Sequence, residues 1–187
     1  MKTSRRAVLF ALAALPFALH AQAAVPSEVG IELPGARLAG SGRLTFLGLS
    51  IYDGRLWVGE GFKAEQYDTE PLAIELEYSR TLYGKLIAER SLEEMKRSGA
   101  IEDDKAARWL AAMKQTFPDV AKGDRITGVH RPGESARFFF NGQLCGELRD
   151  AEFARRFFGI WLSPQTSEPK LRAALLGGSG TPRAGGS

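Results

Sequence analysis

The chain has 187 residues, with 25 Lys and Arg against 22 Asp and Glu. Three of the basic residues, Lys2, Arg5 and Arg6, fall within residues 1–23, which hold no acid, so the rest of the chain balances at 22 against 22. A nucleic-acid-binding surface needs a basic surplus gathered on one face, and this balance excludes that partner.

The chain opens with those three cations, an apolar run from Ala7 to Ala18, and then Ala21-Gln22-Ala23. A basic start, a short apolar middle and a small-residue end are the parts of a secretory signal peptide. The run falls short of the roughly 20 apolar residues that span a bilayer. Ser4-Arg5-Arg6 with Val8-Leu9 also resembles a twin-arginine export signal. The expectation is a signal peptide over 1–23, one domain over 24–178 and a disordered Gly/Ser/Pro-rich tail over 179–187. The protein is then periplasmic or secreted, with no stable membrane anchor once the leader is cleaved.

Beyond the leader, Leu44 to Ile51 is an almost unbroken apolar run, and Asp53-Gly54 separates it from Arg55-Leu56-Trp57-Val58. Asp-Gly between apolar runs predicts a tight hairpin turn. Leu72, Ile74, Leu76 and Tyr78 alternate with Ala73, Glu75, Glu77 and Ser79, which predicts a half-buried strand. Arg80 shares the parity of that apolar face, so with Tyr78 it points to the core side if the strand runs so far.

A helix is predicted within Leu82 to Arg97, with Ser91-x-x-Glu94 as a capping box that starts or restarts it. Ala106, Trp109, Leu110, Met113 and Phe117 recur at helical spacing behind Glu102-Asp103-Asp104 and ahead of Pro118. This stripe reads as core packing. Gly123 to Val129 reads as a strand. Arg137 to Phe140 meets Gln143 to Leu148 across Asn141-Gly142, the dipeptide that best suits a type I′ turn. Asp150 is positioned to cap a helix with Phe153, Phe157, Ile160 and Trp161 on one face, and Ser167 to cap a last short helix ended by Gly177-Gly178.

The chemistry-bearing residues are sparse. Cys145 is the only cysteine, so no disulfide forms within the chain, and its strand-like surroundings read as a buried, inert thiol. His130 is the one histidine outside the leader, and Pro132-Gly133 after it suggests a surface or turn position. No G-x-S-x-G elbow, zinc-ligand spacing or glycine-rich phosphate loop is present. Hydrolase, metalloenzyme and nucleotide-binding functions fall away, and no cofactor is expected.

The series of elements resembles the chalcone isomerase-like family, in particular its bacterial secreted group. The resemblance lies in Phe46-Leu47-Gly48-Leu49-Ser50-Ile51-Tyr52, in Phe117-Pro118 leading to Gly123-Asp124, in Phe138 to Gly142, and in Phe153 to Leu162 running into Ser167-x-Pro169-x-Leu171-Arg172. It covers about residues 29–177. It implies an α+β fold, an open-faced β-sandwich in which a large antiparallel sheet is backed by helices, with a ligand cleft between the two layers.

That fold hosts ring-closing isomerases and fatty-acid-binding proteins, which differ by residues and not by architecture. The resemblance places Arg37 nearest the family's arginine and Tyr83 at its tyrosine, while its threonine falls on Leu47 and a later polar position on Ile160. Losing a hydrogen-bond donor to a developing oxyanion costs about 100- to 1,000-fold in rate. An acyl chain ending in a carboxylate asks only for an apolar cleft and one or two donors. The expectation is therefore a small amphipathic ligand, a fatty acid or similar carboxylate, held by Arg37 and Tyr83, with Tyr78, Arg80 and Lys85 as further candidates. The alternatives are an isomerase or intramolecular lyase acting on an unsaturated carbonyl compound, and a periplasmic interaction module.

Overall fold

The computed structural model describes residues 24–178. The leader over 1–23 and the tail over 179–187 lie outside the described residues. Six strands follow one another as an antiparallel meander, in spatial order β1 to β6. They are β1 (Arg37–Phe46), β2 (Leu49–Val58), β3 (Leu72–Tyr78), β4 (Arg125–Arg131), β5 (Ser135–Phe140) and β6 (Gln143–Leu148). A short helix α1 (Ser27–Glu32) precedes them, α2 (Gly84–Lys96) and α3 (Asp103–Thr116) lie between β3 and β4, and α4 (Ala151–Leu162) and α5 (Pro169–Leu175) close the chain. This is the open-faced α+β arrangement expected. Among the described residues no helix is long and apolar enough to cross a membrane.

The inner face of the sheet carries the main core. Leu56, Ile74, Leu76, Ile126 and Phe138 pack there against Met95, Met113, Phe153 and Phe158 of the helices. Asp150 caps α4 as expected, its Oδ1 accepting from the Phe153 N–H at 2.9 Å. Its Oδ2 accepts from the Trp109 indole at 2.9 Å, which ties α3 to the start of α4. The Asn141-Gly142 turn also forms, with both residues at positive φ.

The outer face is a second, smaller layer. Val29 of α1 packs with Trp57, Ala73, Val129 and Phe139. Around this patch Glu28 accepts from Arg125 and Thr127 at 2.9 Å each, and Glu32 is bound by Arg131 and Arg137. The strand over Leu72 to Tyr78 is consequently buried on both faces, with Glu75 only 4 % exposed. The half-buried expectation is corrected here, because α1 covers the side whose small and polar residues looked solvent-facing.

Other local expectations shift as well. The first hairpin turns at Leu47-Gly48, not at Asp53-Gly54, and both turn residues sit at positive φ, 49° and 77°. Asp53 instead lies inside β2, where its carboxylate takes a bidentate pair of bonds from Arg43 on β1 at 2.7 and 2.8 Å. α2 runs unbroken through Ser91, whose Oγ donates to the Ile87 carbonyl one turn back and caps nothing. Glu168, not Ser167, precedes α5, with Pro169 in its first turn. His130 is 1 % exposed within β4, its Nδ1 3.1 Å from the Glu70 carbonyl and its ring against Phe158. Cys145 stands exposed on the edge strand β6, which corrects the buried reading, and desolvation raises its thiol pKa.

Candidate ligand cavity

Where β1, β2 and β3 run toward α2 and α4, the two layers separate and leave a cavity of about 350 Å³. The separation follows from side-chain size along the sheet. Gly40 sits so close to α5 that a Cβ there would meet the Ala174 carbonyl oxygen at 2.2 Å, so α5 lies directly on β1. Beyond Gly42 the inner residues become large. Leu44, Tyr52 and Tyr78 form one row across three neighbouring strands, and all three line the cavity.

The walls are apolar. Ile51, Leu76 and Ile126 line the sheet side, and Ile87, Phe157, Ile160 and Trp161 line the helix side. Phe46 and Leu86, 64 % and 49 % exposed, mark where the cavity opens to solvent. A cavity of this size stands near the lower end of the 300–1,000 Å³ of small-molecule sites.

The polar groups within it are few. The Trp161 indole N–H donates to the Tyr52 hydroxyl at 2.9 Å, which leaves the Tyr52 proton free to point elsewhere. The rings of Tyr52 and Tyr78 meet edge to face at 5.9 Å. Tyr78 is 3 % exposed, and its hydroxyl has no hydrogen-bond partner among the described residues. Burial holds both phenols well above their ordinary pKa of 10, so each is a neutral donor throughout the physiological range. At the rim, Arg90 Nη2 lies 2.5 Å from Glu94 Oε1, with the arginine side chain 70 % exposed and the glutamate 9 %. Ser167 and Glu168 complete the opposite lip.

Of the five ligand-binding candidates, Arg37, Tyr83, Tyr78, Arg80 and Lys85, the structure brings only Tyr78 into the cavity lining. Arg37 is exposed at the first position of β1, opposite Val58. Seven residue steps along the strand separate it from Leu44, roughly 23 Å at 3.3 Å per step. Tyr83 immediately precedes α2 and is 55 % exposed. The Asp119 carboxylate, not Tyr83, satisfies the Gly84 N–H of that first turn, at 2.8 Å. Lys85 is exposed beside it, and Arg80 is exposed because β3 ends at Tyr78. Leu47 stands at the hairpin tip, 85 % exposed, and does not line the cavity, whereas Ile160 does. Tyr52 and Arg90, which line the cavity, were not among the site residues expected from the sequence. The signal for Tyr52 was present, since a tyrosine closing an apolar run next to a strand with Tyr78 on its inner face puts two phenols side by side. Among the described residues no group of three or more His, Cys, Asp or Glu is placed to hold a metal ion.

The profile of a family described as chalcone isomerase-like matches residues 21–177. An uncharacterized protein of Haemophilus influenzae (strain ATCC 51907 / DSM 11121 / KW20 / Rd) is 30 % identical over 112 residues, 60 % of this chain and 54 % of that one. The chain thus spans about half the length of that curated relative. Among solved structures, a fatty-acid binding protein of Arabidopsis thaliana superposes with a TM-score of 0.59 over 77 % of this chain and 88 % of that one, at 14 % identity. At that identity the likeness establishes the shared fold alone.

Proposed function

The chain belongs to the chalcone isomerase-like family, and on that premise we propose that it binds a single-chain amphipathic molecule, a fatty acid or similar carboxylate, with the acyl chain in the cavity between sheet and helices. The observation that carries this reading is the apolar lining of a 350 Å³ space held open by large side chains on both walls. Each methylene moved from water onto such walls contributes about 0.8 kcal/mol. Allowing roughly 30 Å³ per heavy atom, the share of one water in the liquid, the cavity accepts about a dozen. That suits a medium-length chain, or the inner part of a longer one. The fold shared with a fatty-acid binding protein is consistent with a ligand of this type.

The head group belongs at the mouth. An unpaired carboxylate taken into an apolar cavity costs many kcal/mol, and among the described lining residues Arg90 is the cation that could offset it. Arg90 is largely exposed and already faces Glu94, so its contribution to an anion is screened to about 1 kcal/mol or less. Affinity then comes mostly from the chain. Tyr52 and Tyr78 supply neutral donors for any oxygen the ligand carries inward, with no charge buried. Export to the periplasm, resting on the leader in residues 1–23, is part of the same proposal.

Calorimetric titration of lipid-stripped protein with dodecanoic acid and its methyl ester tests the reading. Both are expected to bind, with the acid favoured by no more than about tenfold, the equivalent of 1.4 kcal/mol. Arg90→Gln should narrow that gap. Absence of binding by either compound would overturn the proposal.

A further inference from the structure

Eight large hydrophobic side chains stand exposed among the described residues, and five of them lie on the two elements that bound the cavity mouth. Phe46, Leu47 and Leu49 form the tip of the β1–β2 hairpin, with Phe46 paired directly to Leu49. Tyr83 and Leu86 stand at the start of α2. Phe46 and Leu86 are themselves cavity-lining, so the exposed patch is continuous with the apolar interior.

Leu47 is the telling residue. It occupies a positive-φ position where type I′ turns take Asn, Asp or Gly. A branched L-residue is strained in that region, and this one also leaves 85 % of itself in solvent. Fold stability favours neither property.

The surroundings point to a lipid surface as what covers the tip. The hairpin end is four residues long, far fewer than the roughly 20–30 residues a side of a stable protein interface. A convex apolar wedge sinks readily among phospholipid head groups. Arg80 and Lys85 flank Tyr83, both exposed and without an ion-pair partner among the described residues. Arg43 and Arg90 are matched to Asp53 and Glu94; among the described residues the acids near the mouth without an ion pair are Glu168 on the far lip and Asp119, whose carboxylate accepts from the Gly84 N–H. Arg80 and Lys85 outnumber Asp119 on the side of the apolar tip, and that surplus of positive charge favours anionic lipid.

We propose that this tip docks reversibly on an anionic phospholipid bilayer, so that an acyl chain passes between bilayer and cavity without crossing water. The transfer role rests on the acyl-binding reading of the cavity. Because each wetted methylene raises the barrier to transfer, an apolar bridge from bilayer to mouth speeds exchange while leaving equilibrium affinity in solution unchanged.

The test uses Leu47→Asn combined with Leu49→Thr. Neither residue lines the cavity, and each replacement suits its turn or strand position. Wild-type protein should float with vesicles of equal parts phosphatidylcholine and phosphatidylglycerol, and the variant should lose at least tenfold in vesicle affinity. Transfer of dodecanoic acid from those vesicles should accelerate with vesicle concentration in the wild type and slow at least tenfold in the variant. Calorimetric affinity for the acid in vesicle-free buffer should be equal in the two. Wild-type protein that does not float, or a variant that floats equally well, overturns the docking. A wild-type dimer that the variant dissolves, with no flotation, assigns the tip to self-association and overturns it too. Flotation without acid uptake overturns the acyl-binding reading and the transfer role with it, whereas acid uptake without flotation overturns the docking alone.

Discussion

The capacity of the cavity sets a measurable break in a chain-length series. Saturated acids should gain about 0.8 kcal/mol per methylene, close to fourfold in affinity, for as long as each added group finds wall to touch. With about 350 Å³ available and roughly 30 Å³ per heavy atom, the gain should stop near twelve carbons. Ser91 provides an internal control. It lines the cavity from α2, is 8 % exposed, and its hydroxyl bonds only the Ile87 carbonyl of its own helix. Ser91→Leu replaces two side-chain heavy atoms by four in a residue well suited to helix, so the break should move down by about two carbons. Short acids should bind as well as before or slightly better, because the added methyls improve their wall. Calorimetry across even-numbered acids from about six to sixteen carbons reads both slopes and both breaks. A series with no break, or a break that stays in place in the variant, would show that the chains bind elsewhere than between α2 and the sheet.

Three further outcomes follow from other parts of the molecule. His130 is buried neutral in β4, and burial lowers its pKa below the ordinary value of about 6.5. The unfolded chain therefore binds a proton that the native one refuses. Stability should be complete above about pH 6.5 and fall as pH drops from there through the lower native pKa, a slope that urea titrations should find flattened in His130→Phe. Glu28, 2 % exposed, holds Arg125 and Thr127. Glu28→Ala should lower the free energy of unfolding by about 3 kcal/mol, as when one partner of a buried pair is removed, and a loss under about 1 kcal/mol would mean that α1 contributes little to the sheet. Mass analysis of exported protein should find its N-terminus at Ala24 or within two residues of it, whereas Met1 retained on exported material would refute the leader reading.

Much of the fold was legible because its signals are local. Asn141-Gly142 and the Asp150 cap each specify geometry within four residues, and both form. Asp53-Gly54 carries nearly the same local signal and fails. Its competitor is long-range: Asp53 pairs with Arg43 and Gly54 lies beneath Leu175 of α5, so the strand continues and the turn falls on Leu47-Gly48. The helix α1 was illegible for a related reason. Six residues are too few to hold a helix by propensity, and this one is held by arginines about a hundred positions away. Without it, the polar side of β3 had to look solvent-facing.

The site was harder to read than the fold because a cavity wall and a core have the same periodicity. Phe153, Phe157, Ile160 and Trp161 were recognised as one helix face, yet nothing in that spacing says that Ile160 and Trp161 look onto empty space while Phe153 packs. What separates the two is a size change across strands. Gly42 and Gly54 are register partners and admit α5, and Leu44, Tyr52 and Tyr78 form the next inner row, which stands off from α2 and α4. A glycine row beside a tyrosine row is therefore the sequence-level origin of the cavity, readable only once strand register is known. A one-residue slip would turn each affected side chain to the other face. The same register explains why Arg37 does not reach the cavity. Its strand begins where the hairpin is closed by Val58, and the cavity lies at the other end, beside the exposed tip on which uptake of ligand is proposed to depend.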